Sequence, residues 1–167
     1  MLKKFELRYK DFEKLSDYTK KSGALFISTP FDLESADFLG NIVDAIKISS
    51  GDNNFFPLIN RVAKMDLPLI MSTGVSDING IIKSVDFINK IRQADNMSDH
   101  LAILHCVSAY PVEPKYANLN AITTLINNFN NVIGYSDHTL GNNASIGAVT
   151  LGARIIEKHF TKDKNFS

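Results

Sequence analysis

Two histidines, two carboxylates, one lysine and a set of hydroxyls stand where short apolar runs stop, at spacings that suit a metal-and-anion site. The triplets Ser136-Asp137-His138 and Glu157-Lys158-His159 each follow such a run. Side chains two apart on an extended strand share a face, so Ser136 faces with His138 and Glu157 with His159. Two imidazoles from neighbouring strand ends, with oxygen donors beside them, suit a divalent transition ion such as Mn²⁺, Fe²⁺ or Zn²⁺ acting as a Lewis acid. The same spacing also fits histidines that are simply hydrogen-bonded at a rim.

Lys47 lies between Ile46 and Ile48, where burying an ammonium is costly unless an anion accompanies it. Thr29, Ser49, Ser50, Ser72, Thr73 and Ser136 end neighbouring runs. A lysine ringed by hydroxyls makes a cradle for phosphate or carboxylate. An ion pair with Asp44 or Asp52 accounts for it equally well, and a Schiff-base lysine is a third option. Asp52 and Glu157 are the carboxylates placed for proton transfer, for stabilising a cationic intermediate, or for orienting a histidine or Lys47. Tyr110 sits on a proline-stiffened loop, where its ring can pack on a sugar or on the loop itself. Asp137 and His105 read as structural, His100 as solvated, and Cys106 as an inert buried thiol. The turns at Gly51 and Gly74 lack the spacing of dinucleotide or Walker loops, so no nucleotide cofactor is expected.

The elements that must position these residues form a repeat. Apolar runs end at Ser28-Thr29, Lys47 to Ser50, Ser72-Thr73, His105 to Ser108, Ser136 to His138 and Glu157 to His159. Roughly 18 to 33 residues separate the stops, the length of one crossover helix with its loops. The runs predict strands at 24–27, 41–48, 67–71, 101–106, 132–135 and 153–159. Apolar periodicity predicts helices over 11–22 on Phe12, Leu15 and Tyr18, over 32–38, after Pro57, from Ser76 or Asp77 through Ile91, through Leu119 to Phe129, and over 144–151. Pro111 and Pro114 exclude a regular helix from their loop. In parallel barrels chemistry gathers at the C-terminal strand ends, so one rim would hold all the polar stops.

The chain has 167 residues, and about 250 are typical of eight β/α units, so six strands imply part of a (β/α)8 barrel in one incomplete domain. Its two outer strands are apolar and are expected to pair with further strands. Lys plus Arg balances Asp plus Glu at 18 each, which leaves no basic excess for nucleic acid or an anionic membrane. A single cysteine excludes an intrachain disulfide and suits a cytoplasmic location. No apolar run approaches the length of a membrane span, and the start at Met1 lacks the apolar core of a signal peptide.

Taken in order, Phe26-Ile27-Ser28-Thr29-Pro30-Phe31, Lys47-Ile48-Ser49-Ser50-Gly51-Asp52, Ser72-Thr73-Gly74, Leu104 to Pro111, Gly134 to Thr139 and Ile156 to Thr161 resemble the sialic acid synthase (N-acetylneuraminate synthase) family. The resemblance implies a TIM-barrel transferase of carbohydrate biosynthesis that condenses phosphoenolpyruvate with an N-acetylhexosamine such as N-acetylmannosamine, with a divalent metal, usually Mn²⁺. It implies His138 and His159 as metal ligands. Lys47, Thr29, Ser50, Ser72, Ser108 and Ser136 would contact phosphoenolpyruvate, Tyr110 would line the sugar site, and Asp52 and Glu157 would be the catalytic carboxylates.

The chain departs from that pattern at two positions. Asp52 stands where the family more often has glutamate, and Ser108 where asparagine is common. The family's first two barrel strands and its C-terminal antifreeze-like domain have no counterpart in the 167 residues. That domain normally helps close the partner's site in a homodimer. The alternatives are a synthase for legionaminic, pseudaminic or a spore-coat sugar, or an inactive fragment of such an enzyme.

Overall fold

The computed structural model describes residues 6–95, 97 and 100–163, and the readings of Met1 to Phe5 and of part of the polar stretch before His100 lie outside them. Six strands, β1 (Ile27–Ser28), β2 (Ala45–Ile48), β3 (Leu69–Ser72), β4 (Leu101–Cys106), β5 (Val132–Asp137) and β6 (Ile155–Lys158), form one sheet in chain order. Every neighbouring pair is parallel. Helices α2 (Leu33–Leu39), α3 (Phe56–Ala63), α4 (Ile78–Ala94), α5 (Asn120–Asn128) and α6 (Asn143–Thr150) fill the successive connections, and α1 (Tyr9–Lys21) precedes β1. The expected partial barrel is present. No helix among the described residues is long and apolar enough to cross a membrane.

Alternation along the strands separates the core from the site. Ile46, Ile48, Leu69, Met71, Leu101, Ile103, Ile133 and Tyr135 are all at most 3% exposed and meet Leu58, Ile59, Val62, Val85, Ile88 and Ile122 of the helices. Each such burial is worth about 1.5–3 kcal/mol. The intervening residues, Lys47, Ile70, Ser72, Leu104, Cys106, Ser136 and Glu157, face a cavity on the other side of the sheet. Ile27 of β1 and Ile155 of β6 border that same cavity, so the sheet curls until its first and last strands address one space. At Gly134 a Cβ would sit 2.5 Å from both Leu104 Cδ2 and the Ile155 carbonyl oxygen, and only glycine fits this layer.

Caps set the loops at the rim. Asp77 accepts from Gly80 N at 2.7 Å and starts α4, which leaves Ser76 for another partner. Asp32 and Ser35 form a reciprocal capping box at α2.

Three expectations shift. Residues 41–44 form a turn rather than the start of β2, because Asn41, Ile42 and Val43 donate their N–H groups back to Phe38 and Leu39 carbonyls. The first strand forms at Ile27–Ser28, later than 24–27, since Asp44 captures the Phe26 N–H at 2.8 Å. Finally, α1 meets the domain through Phe12, Ser16 and Lys20, and Ser16 Oγ and Lys20 Nζ donate to the Ile42 carbonyl at 2.6 and 3.0 Å. This i, i+4 row leaves Leu15 and Tyr18 43% and 73% exposed, against the stripe expected from Phe12, Leu15 and Tyr18.

Candidate active site

Four side chains from four strands form a line across the inner face. Lys47 Nζ on β2 donates to Ser72 Oγ on β3 at 2.7 Å and to its neighbour's Ile48 carbonyl at 3.3 Å. It lies 3.6 Å from Glu157 Oε2 on β6, and Ser136 Oγ on β5 donates to the other Glu157 oxygen at 2.8 Å. Glu157 is therefore the lysine's partner. Asp44 instead pairs with Lys20 at 3.5 Å, and Asp52 accepts from Ser49 Oγ at 2.5 Å.

Burial pushes the Lys47 pKa down, and the nearby Glu157 and Cys106 push it partly back. At 3.6 Å the Lys47–Glu157 contact is longer than a hydrogen bond, so an incoming anion can take the ammonium as its own partner.

The rim above this line is built by close backbone approach. Gly74 N donates to Ser50 Oγ at 3.1 Å, and a Cβ on Gly74 would collide with both Ser50 Oγ and Ser108 Oγ. Glycine lets those two hydroxyls converge from separate loops.

The imidazoles sit at the adjoining strand ends. The His138 and His159 ring centres are 5.4 Å apart, and Tyr110 lies over His138 at 4.0 Å. The Val107 carbonyl lies 2.9 Å from His138 Nδ1. A carbonyl only accepts, so Nδ1 carries the proton and the Nε2 lone pair is free to ligate. Ser136, His138, Glu157, Lys158 and His159 surround a pocket of about 120 Å³. Among the described residues no group of three or more His, Cys, Asp or Glu side chains comes together as a metal cluster. Two imidazoles with hydroxyl and carboxylate oxygens nearby nevertheless fit a divalent ion whose other positions are filled by oxygen donors.

The profile of the NeuB family matches residues 1–167. The chain belongs to the NeuB family. It is 48% identical over 166 residues to an uncharacterised protein of Methanocaldococcus jannaschii, covering 99% of this chain and 48% of that protein. Against an N,N'-diacetyllegionaminic acid synthase of Legionella pneumophila it is 42% identical over 166 residues, covering 99% and 46%. The crystal structure of an N-acetylneuraminic acid (sialic acid) synthetase from Leptospira borgpetersenii, in complex with citrate, superposes with a TM-score of 0.88 at 37% identity, covering 95% of this chain and 54% of that one. This NeuB chain thus spans about half the length of the curated relatives it matches.

A cavity of about 910 Å³ in the NeuB half-barrel is lined by Thr29, Lys47, Ser50, Ser72, Ser108, Tyr110, Ser136, His138, Glu157 and His159. Asp52 is the one proposed site residue outside that lining; it is placed in a 3₁₀ turn, Ser50–Asp52, behind Ser49. Ser49 and Asp52 therefore hold the shape of the turn that presents Ser50. Thr73, grouped with the cradle hydroxyls by sequence, turns away and donates to the Leu104 carbonyl at 3.0 Å. His105 is buried against Tyr135 with Nε2 2.9 Å from the Ala117 carbonyl, and its burial lowers its pKa. Cys106 is 7% exposed and borders the cavity.

Sequence reasoning passed over Asn53. It is 4% exposed, and its Nδ2 donates to the Ser72 and Gly74 carbonyls at 3.2 and 3.1 Å, while its Oδ1 accepts from Ser76 Oγ at 2.8 Å. It clamps the loop that carries Ser72 and Gly74. Its signal in the sequence was faint, an amide directly after Asp52.

Proposed function

We propose that this chain carries the central and late strands of a barrel synthase that joins phosphoenolpyruvate to an N-acetylhexosamine, N-acetylmannosamine or a close relative, and releases phosphate. The observation that carries this reading is the Ser136–Glu157–Lys47–Ser72 line, set in one cavity beside the His138–His159 pair. One lysine, its hydroxyls and two imidazoles sharing a cavity support a reading in which an anion and a metal-held sugar meet, as a two-substrate reaction requires.

Lys47 and the hydroxyls of Ser72, Ser136, Ser50 and Ser108 hold the phosphate and carboxylate of phosphoenolpyruvate. Thr29 lines the same side, and Tyr110 packs on the sugar. His138 and His159 hold a divalent ion, Mn²⁺ in our reading, which when bound polarises the open-chain sugar aldehyde. The enol C3 forms a bond to the aldehyde carbon, whose oxygen takes up a proton, and positive charge develops at C2. Glu157 stabilises that charge and accepts a proton from the water that adds at C2. The resulting tetrahedral centre breaks its C2–O bond to phosphate, the C2 hydroxyl gives its proton to the departing phosphate, and a 2-keto sugar acid is left, N-acetylneuraminate or a related nonulosonic acid. Asp52 acts through Ser49 on the cradle.

The Legionella relative supports a diacetylated product within the same reaction class. The test is phosphate release by the protein expressed from its whole reading frame, with phosphoenolpyruvate, Mn²⁺ and a panel of acetamido-hexoses, and product mass to name the acceptor. Phosphate release that depends on an acceptor is the expected result. No release with any acceptor overturns the reading.

A further inference from the structure

Behind the two imidazoles lies a second charged pair that the chemistry above does not use. Asp137 and Lys158 are direct partners in the β5–β6 register, the step after Ser136 and Glu157. Alternation sends the Asp137 side chain to the opposite face, where it is fully buried and 2.9 Å from Lys158 Nζ. It also accepts from Thr139 N at 2.8 Å and from Ser145 Oγ, in the first turn of α6, at 2.5 Å. Lys158 Nζ donates a further bond to the Thr139 carbonyl at 2.8 Å.

These bonds enclose His138. Residues 137 and 139 are held by the pair on either side of it, Val112 N donates to the His138 carbonyl at 3.0 Å, and the ring is fixed on Val107. Lys158 is the residue before His159, so holding Lys158 also sets where His159 leaves β6. Taking a carboxylate fully out of water is costly, and a buried ion pair stabilises a fold little better than a packed apolar pair of similar size. Its best-attested use is to fix register, and here the register is that of two strand ends that each carry an imidazole.

We infer that Asp137 and Lys158 are positioning residues whose ion pair, tying β5 to β6 and α6, sets the separation of His138 and His159 for a shared divalent ion. This rests on the reading of those histidines as metal ligands. Asp137 lines neither cavity and Lys158 borders only the small pocket beside the histidines, so their effect passes through the imidazoles.

The experiment measures Mn²⁺ affinity by electron paramagnetic resonance, alongside the thermal midpoint without metal, in the full-length protein. The set is wild type, Asp137→Asn, Lys158→Met, the double variant, Lys158→Arg and Ser145→Ala. Asp137→Asn and Lys158→Met are each expected to weaken Mn²⁺ binding by about 10–100-fold, the range found when groups orienting metal ligands are removed. The double variant should be no weaker than either single one, because one device is lost in all three. Lys158→Arg, which keeps the charge and a donor, should stay within about threefold of wild type, and Ser145→Ala should fall between. Folded Asp137→Asn or Lys158→Met proteins that bind Mn²⁺ as tightly as wild type would show the pair to be structural only. If those two do not fold, unchanged affinity in Ser145→Ala overturns the inference in their place. A wild type that binds no Mn²⁺ defeats the metal reading itself, and the inference with it.

Discussion

Lys47 on β2 and Glu157 on β6 bring their charges to 3.6 Å, although three strands lie between them in the sheet. Across a flat sheet, four steps of about 4.8 Å would hold their strands roughly 19 Å apart. The contact therefore measures the curl of the half-barrel, and the curl makes one cavity of residues scattered over the chain. It also explains the charge balance there. Lys47 is 10% exposed in its side chain and Glu157 45%, so the ammonium bears the desolvation while the carboxylate still reaches water.

Lys47→Met should therefore separate stability from function. Burial lowers the folded pKa of Lys47 below its unfolded value, so the charged form opposes folding at neutral pH, and the penalty lifts only as pH rises through the folded pKa. Removing the charge should raise the thermal midpoint by about 2–4 °C for each kcal/mol relieved. The same change should abolish saturable phosphoenolpyruvate binding. Calorimetric melting and substrate titration check the two halves, and a lower midpoint would show that the ion pair outweighs the desolvation.

Glu157→Gln keeps an oxygen for the Ser136 hydroxyl and loses the negative charge. Turnover should fall by about 10²–10⁴-fold, the range for a lost acid–base group. The KM for phosphoenolpyruvate should change far less. Steady-state kinetics on the full-length protein decide it, and wild-type turnover would remove Glu157 from the chemistry.

Asn53→Asp puts a carboxylate oxygen against the Ser72 and Gly74 carbonyls, which both need a donor. Two buried acceptors then face an anion, and a loss of about 1–3 kcal/mol follows from their unmet hydrogen bonds. Because the clamped loop carries Ser72, the KM for phosphoenolpyruvate should rise as well. Denaturant unfolding beside kinetics tests both effects.

Acid unfolding should show the signature of Asp137. Burial alone would raise its pKa, but hydrogen bonds from Ser145, Lys158 and Thr139 outweigh that and hold it down at about 2. A depressed carboxylate contributes stability that is present above its unfolded pKa of about 3.9 and is lost as pH falls through the folded value. Roughly 2–3 kcal/mol should disappear progressively between about pH 5 and pH 1 in the wild type. In Asp137→Asn that limb should flatten, as read by denaturant midpoints across the acid range.

The strand-end hydroxyls, Lys47 and both histidines were visible in the sequence because alternation on a strand is a local rule, and local rules survive without coordinates. The helices of α3 and α4 were visible for the same reason, through their apolar periodicity. What escaped depends on contacts far along the chain. Lys47 finds Glu157 only when the sheet curls, His138 takes its tautomer from the Val107 carbonyl just past the end of β4, and Asn53 reaches the Ser72 and Gly74 carbonyls. The exposed Leu15 and Tyr18 misled for a related reason: beside the Tyr9 and Phe12 rings on Phe38, α1 docks by polar bonds from Ser16 and Lys20 to the Ile42 carbonyl, and no apolar spacing announces those bonds.

The central claim we propose is that the Lys47–Glu157 cavity joins C3 of phosphoenolpyruvate to the acceptor and breaks the C2–O bond to phosphate, and an oxygen label tests it most directly. With ¹⁸O in the bridge between C2 and phosphorus, incubation with Mn²⁺ and the acceptor sugar should deliver the label to inorganic phosphate, because the C2 centre expels the whole phosphate group. Label retained in the organic product would mean P–O cleavage, and phosphate release that needs no acceptor would mean hydrolysis without condensation; either result would contradict the account.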